Sequence, residues 1–148
     1  SRELNTPVIN LGFSGNGKME KEMADLLSEL DPAMYVLDCL WNMSPPLVSE
    51  RAEPFVTRLR KSHPSTPIVL VEGSSFRDLP SQKGDILRKI FTKLIKQGDK
   101  NLYLISNKGM LGQDFGGTVD GVHPNDLGMA RQAAVFTQFL KPILKAQK

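Results

Sequence analysis

Short apolar runs alternate along this chain with longer stretches in which apolar residues recur every three or four positions. Residues 7–11, 34–38, 67–71 and 102–105 are β-type runs. Between and after them lie helical patterns: Met19, Met23, Leu26 and Leu30; residues 47–61; residues 81–97 with Ile86, Ile90 and Leu94; and residues 125–144 with Met129, Ala133, Phe136, Leu140 and Ile143. Strands alternating with helices predict an α/β fold in which parallel strands are joined by right-handed crossovers. Asp31-Pro32 is expected to stop the first helix and Gly98 to cap the third, while Pro54 is expected to begin or kink the second.

A parallel sheet gathers its functional loops at the carboxyl ends of the strands. That directs attention to residues 12–18, 39–46, 72–80 and 106–123. The last of these contains Asp120-Gly121-Val122-His123-Pro124, with one of only two histidines three residues after an aspartate. A carboxylate that orients an imidazole is the usual construction of a general base. The other histidine, His63, reads as a surface loop residue before a strand. A metal site made of Asp120, His123 and Asp126 is weaker than a reading in which Asp126 starts the last helix.

The first loop, Gly12-Phe13-Ser14-Gly15-Asn16-Gly17-Lys18-Met19, follows an apolar run and precedes a helical pattern. It nearly spells a phosphate-binding loop, but Met19 stands where a magnesium-binding hydroxyl belongs. A nucleotide-binding domain, with Asp38 as the metal-binding acid, therefore stays open as a rival. In the second loop, Asn42 carries a side-chain amide able to donate to an oxyanion, as the Gly15 N–H also could.

Composition sets the outer limits. At 148 residues, 40% hydrophobic and 24% charged, the chain suits one soluble globular domain without metal or disulfide support. Its net charge is +3, with early acidic and late lysine-rich helical stretches, so solvated faces are expected and no nucleic-acid partner. No apolar run reaches the about 18 residues of a membrane span, and no signal-peptide hydrophobic region is present. The compartment stays open, export included if a leader has been removed. The single Cys39 lies in an apolar run and reads as a buried thiol.

Taken together, these residues resemble the SGNH hydrolases, the GDSL-like esterase and lipase superfamily. Val8 to Asn16 resembles the second family block, Asn42 the third, and Asp120-Gly121-Val122-His123-Pro124 the last. The resemblance implies a three-layer α/β/α flavodoxin-like sheet and acyl or acetyl ester hydrolysis through an acyl-enzyme, without cofactor or metal. It implies His123 as base, Asp120 as its orienter, and Gly15 and Asn42 as oxyanion donors, acting on a small ester such as an acylated carbohydrate. Trp41-Asn42-Met43 replaces the family's Gly-Asn-Asp.

The Gly-Asp-Ser-like nucleophile block, with the first strand that carries it, is not found before Gly15. The expectation is a single SGNH-like domain, N-terminally truncated, over residues 1–148. Two alternatives remain: Ser14 is the nucleophile of a minimal esterase, or the chain is a non-catalytic fragment. Without its inner first strand, residues 7–11 should pair directly with residues 34–38, or a second copy should fill the gap by strand pairing.

Overall fold

The computed structural model describes residues 1–147. The chain forms two compact units, one made of residues 11–72 and 81–104, the other of residues 1–10, 73–80 and 105–148.

The first unit carries the helices α1 (Lys21–Leu27), α2 (Pro45–Ser62) and α3 (Gln82–Lys96) with the strands β1 (Tyr35–Leu37), β2 (Ile68–Val71) and β3 (Leu102–Ile105), whose last residue is assigned to the second unit. The sheet order is β1-β2-β3, and β1 and β2 run parallel with Tyr35 opposite Ile68 and Leu37 opposite Leu70. Helix α2 connects β1 to β2 and α3 connects β2 to β3, and α2 packs against both α1 and α3. Central β2 is buried at every residue, as a strand covered on both faces must be. This is the α/β class that the alternation predicts.

Residues 7–11 depart from the expectation. They form no strand; Val8 is 62% and Ile9 71% exposed, and the sheet has three strands. A strand is fixed by a ladder on a neighbour, and this segment is outside the sheet order β1-β2-β3, so its apolar run does not decide its state. The boundary between the units falls within it, after Asn10.

The helices also correct details. In α1 the buried position is Ala24, with Met23 and Leu27 packed against the core, whereas Leu26 is exposed. The helix ends at Leu27, before Asp31-Pro32, where the Tyr35 hydroxyl donates to the carbonyls of Leu27 (2.8 Å) and Leu30 (3.2 Å). Helix α2 begins earlier, at Pro45, with Ser44 as its cap, and runs through Pro54 without interruption. Pro54 lies on the exposed side, where the carbonyl it leaves unpaired can bind water. Helix α3 matches its pattern: Ser81 accepts from Gly84 N–H at 3.0 Å, and Gly98 follows at φ +102°.

Arg60, near the end of α2, fastens the approaches to two strands. It donates to Asp99 Oδ2 (3.0 Å) and to the carbonyls of His63 (2.9 Å), Thr66 (2.6 Å) and Asn101 (3.2 Å). His63 is half-buried rather than a free surface residue: its Nε2 lies 3.0 Å from the Ser28 carbonyl, and its ring meets Tyr35 edge-on.

In the second unit, α4 (Asp126–Lys145) packs with the short 3-10 turn Arg2–Leu4. Leu140 is buried and Phe136 and Ile143 partly so, but Met129 and Ala133 are exposed, so the apolar stripe is covered only toward its C-terminal end.

Candidate functional site

The loop before α4 is built around Thr118. Its hydroxyl donates to the His123 carbonyl (2.9 Å) and accepts from Gly121 N–H (2.9 Å), while Val119 N–H donates to the same carbonyl at 3.2 Å. An antiparallel bridge between Thr118 and Pro124 closes the turn, and Gly121 supplies its left-handed step at φ +88°. Sequence reasoning did not single out Thr118, though a threonine two residues before an aspartate is a recognisable turn former.

Asp120 sits inside that turn with both oxygens used. Oδ1 accepts from the backbone N–H groups of Val122 (2.9 Å) and His123 (2.7 Å), and Oδ2 lies 2.6 Å from His123 Nδ1. The His123 N–H, then its ring, then the Val122 N–H hold the Asp120 carboxyl well below the usual carboxylate range. Since an ionised carboxylate has no proton to give, Nδ1 must carry it, which leaves the Nε2 lone pair of a neutral ring free to accept. The ring is largely exposed, so Nε2 is open to a reactant.

Loop and helix are tied together within this unit. Asn125 caps α4 by accepting Gly128 N–H (3.0 Å), and its amide donates to the Gly116 carbonyl (2.8 Å). The cap is thus Asn125, with Asp126 the first helical residue. Arg131 forks onto Asp114 with two 2.7 Å bonds and onto the Leu111 carbonyl at 2.8 Å. A Cβ at Gly128 would collide with the Gly117 carbonyl, and one at Gly117 with that of Leu111, so these glycines permit the close approach.

The other predicted residues belong to the first unit. Ser14 (φ +34°) and Gly15 (φ +81°) form a left-handed turn closed by Asn16 N–H on the Phe13 carbonyl at 3.0 Å. Space around Gly15 is open, and among the described residues its N–H has no acceptor and the Ser14 hydroxyl no hydrogen bond. Asn42 ends the 3-10 turn Leu40–Asn42, and one of its amide hydrogens goes to the Gly17 carbonyl at 3.3 Å. The second hydrogen of that amide remains for another acceptor. The structure therefore brings Asn42 to the Gly-rich loop, and Asp120 to His123.

The phosphate-cradle geometry is not present. Helix α1 starts at Lys21 rather than directly after the glycines, Met19 has φ +53°, and the Lys18 N–H donates to the Glu20 carboxylate at 2.9 Å. An acidic side chain occupies the donor that a phosphate would use. A groove of about 310 Å³ beside α1 and α2, lined by Glu20, Arg51 and Arg58 among others, contains none of the predicted site residues. Among the described residues no group of three His, Cys, Asp or Glu is placed to hold a metal ion, and no helix is long and apolar enough to cross a membrane.

Among solved structures, a protein assigned as a GDSL-like lipase from Bacteroides ovatus is 40% identical, with a TM-score of 0.83 over 93% of this chain and 43% of its own. The salicylyl-acyltransferase SsfX3 of a tetracycline biosynthetic pathway shares the fold at 22% identity, with a TM-score of 0.66 over 86% of this chain and 43% of its own. The chain thus spans less than half the length of either. No curated protein matches it. Residues 1–141 match the GDSL-like lipase/acylhydrolase family, and the chain belongs to that family.

Proposed function

We propose that this chain contributes the base, its orienter and two oxyanion donors to serine-type hydrolysis of small esters, acylated carbohydrates among them. The observation that carries this reading is the 2.6 Å contact of Asp120 Oδ2 with His123 Nδ1, which leaves Nε2 as the proton acceptor. In the reaction a serine Oγ attacks the ester carbonyl as its proton passes to His123 Nε2, and the carbonyl π electrons move onto oxygen. The tetrahedral oxyanion is met by Gly15 N–H and the Asn42 amide. Collapse expels the alcohol, which takes the proton back from Nε2, and water repeats the sequence to release the acid. Loss of one oxyanion donor typically costs about 10²- to 10³-fold in rate.

The attacking serine is proposed to lie outside residues 1–148. Two facts support this: no Gly-Asp-Ser-like block occurs in the sequence, and the chain covers 43% of the Bacteroides ovatus structure. Ser14 is the second reading, favoured by its exposed position in a left-handed turn. Hydrolysis of p-nitrophenyl acetate by a chain extended to include the proposed outside nucleophile, with its Ser14→Ala and His123→Ala variants, tests both. Loss in both variants assigns Ser14; loss in His123→Ala alone assigns an outside nucleophile; full rate in His123→Ala refutes the proposal.

Self-association through β1 is proposed with it. Among the described residues β1 is paired on one side only, and Val36 is 39% exposed. Light scattering across a concentration series should show mass rising above 16.4 kDa; a constant monomer mass contradicts it.

A further inference from the structure

The second unit carries, besides Asp120 and His123, an aromatic and cationic cluster that the mechanism does not use. Phe76 and Phe115 are stacked with centroids 3.7 Å apart and planes 25° from parallel. The Arg77 guanidinium stands 5.1 Å from one ring centroid and 5.4 Å from the other. Phe115 is 60% exposed, so a ring face remains open to a ligand. Arg77 is exposed as well, and among the described residues its guanidinium has no carboxylate partner.

The backbone that presents these groups is strained and pinned. Arg77, Asp78 and Phe115 all adopt left-handed conformations, at φ +56°, +55° and +59°, which side chains larger than glycine seldom take. Such conformations persist only where surrounding contacts impose them, and they concentrate at ligand-binding positions. The contacts here are specific. Asp78 Oδ1 accepts Gly109 N–H at 2.8 Å, and the Asn107 amide donates to Ser75 Oγ (3.0 Å) and to the Leu79 carbonyl (2.8 Å). Gly116, next to Phe115, is the residue whose carbonyl is held by Asn125, two residues beyond His123. The platform and the base thus share one hydrogen-bonded framework.

We propose that Phe76, Arg77 and Phe115 form a binding platform for a ring that bears a carboxylate. A planar or pyranose ring extends the aromatic stack, and the weakly hydrated guanidinium fork pairs with the carboxylate. An uncharged ring uses only the stacking half of this surface. As a statement about substrate, the platform rests on the acyl-hydrolase reading and selects esters whose acid or alcohol part is such a ring. As a binding site it stands without that reading.

The test is an NMR titration of the protein with benzoate and benzamide, and separately with glucuronate and glucose. The anion of at least one pair should bind more tightly than its neutral counterpart, with shifts centred on residues 76, 77 and 115. Arg77→Gln should weaken the anion about tenfold or more and leave the neutral ligand unchanged. Phe115→Ala should weaken both members of the pair, and provides the readout if the Arg77 variant fails to fold. Equal binding of anion and neutral ligand in both pairs, a preference that survives Arg77→Gln, or shifts confined elsewhere would overturn the proposal. His123→Ala should leave this binding intact; anion-selective binding in a protein that also carries the outside serine, yet hydrolyses no ester, would refute the hydrolase reading and not the platform.

Discussion

Asp120 binds His123 twice, once through the backbone N–H at 2.7 Å and once through ring Nδ1 at 2.6 Å. One carboxylate therefore both shapes the turn and selects the tautomer. Asparagine can keep the first role, because its carbonyl oxygen still accepts from the backbone. It loses the charge that holds the proton on Nδ1. Asp120→Asn in the ester-hydrolysing protein is expected to lower kcat by about 10³- to 10⁴-fold with little change in melting temperature.

The same contacts set an acid limit. Because the His123 N–H, His123 ring and Val122 N–H hold the Asp120 carboxyl below its ordinary 3.8, the folded state binds this proton less readily than the unfolded chain. Its contribution is fully present above the unfolded value and is lost as pH falls through the lower folded one. The amide signals of Val122 and His123 should hold their native positions from neutral pH down past 3.8 and shift only in stronger acid; a transition centred at 3.8 would show an unperturbed carboxyl.

Gly128→Ala tests the close packing behind the His123 loop. The added methyl would overlap the Gly117 carbonyl, whose loop leads into Thr118 and Asp120. A destabilisation of about 1–3 kcal/mol is expected, read by denaturant unfolding. An unchanged midpoint would mean that the helix and loop separate at no cost.

Arg60 is the corresponding test in the other unit. Its partner Asp99 is largely buried, and its other acceptors are main-chain carbonyls at the approaches to β2 and β3. Arg60→Ala removes the whole set and should cost about 3 kcal/mol or more. Arg60→Lys should recover only part, since an ammonium cannot reproduce the fork.

Much of this was legible in the sequence for a local reason. The Asp120–His123 contact, the extent of helix α3 and strands β2 and β3 depend on neighbours within a few residues or on buried apolar runs, and their signals are written in short spacings. The extended run at residues 7–11 was misread because a strand is defined by its partner, which no local alternation supplies. Spacing alone puts Leu26 and Met129 on buried faces, yet each is more than half exposed. Phe115 and Arg77 escaped notice because their stacking joins segments nearly forty residues apart.

Cys39 offers a chemical check on the fold around Asn42. It is only partly buried as a residue, which softens the expectation of a fully buried thiol. Even so, burial, and then the Asp38 and Glu20 charges, push its thiol up to about 12. On the order of 10⁻⁴ of it would be thiolate at pH 8, so iodoacetamide should label the native protein very slowly and the unfolded one readily. Fast native labelling would contradict the placement of the 39–42 turn.

The proposed role of His123, a base whose lone pair Asp120 keeps on Nε2, is measured directly by the nitrogen NMR shifts of the His123 ring. At a pH where the ring is neutral, Nδ1 should be protonated and Nε2 bare in the wild type, and that preference should disappear in Asp120→Asn. A wild-type ring protonated on Nε2, or a tautomer that the Asp120 substitution leaves unchanged, would show that Asp120 does not set the proton's position.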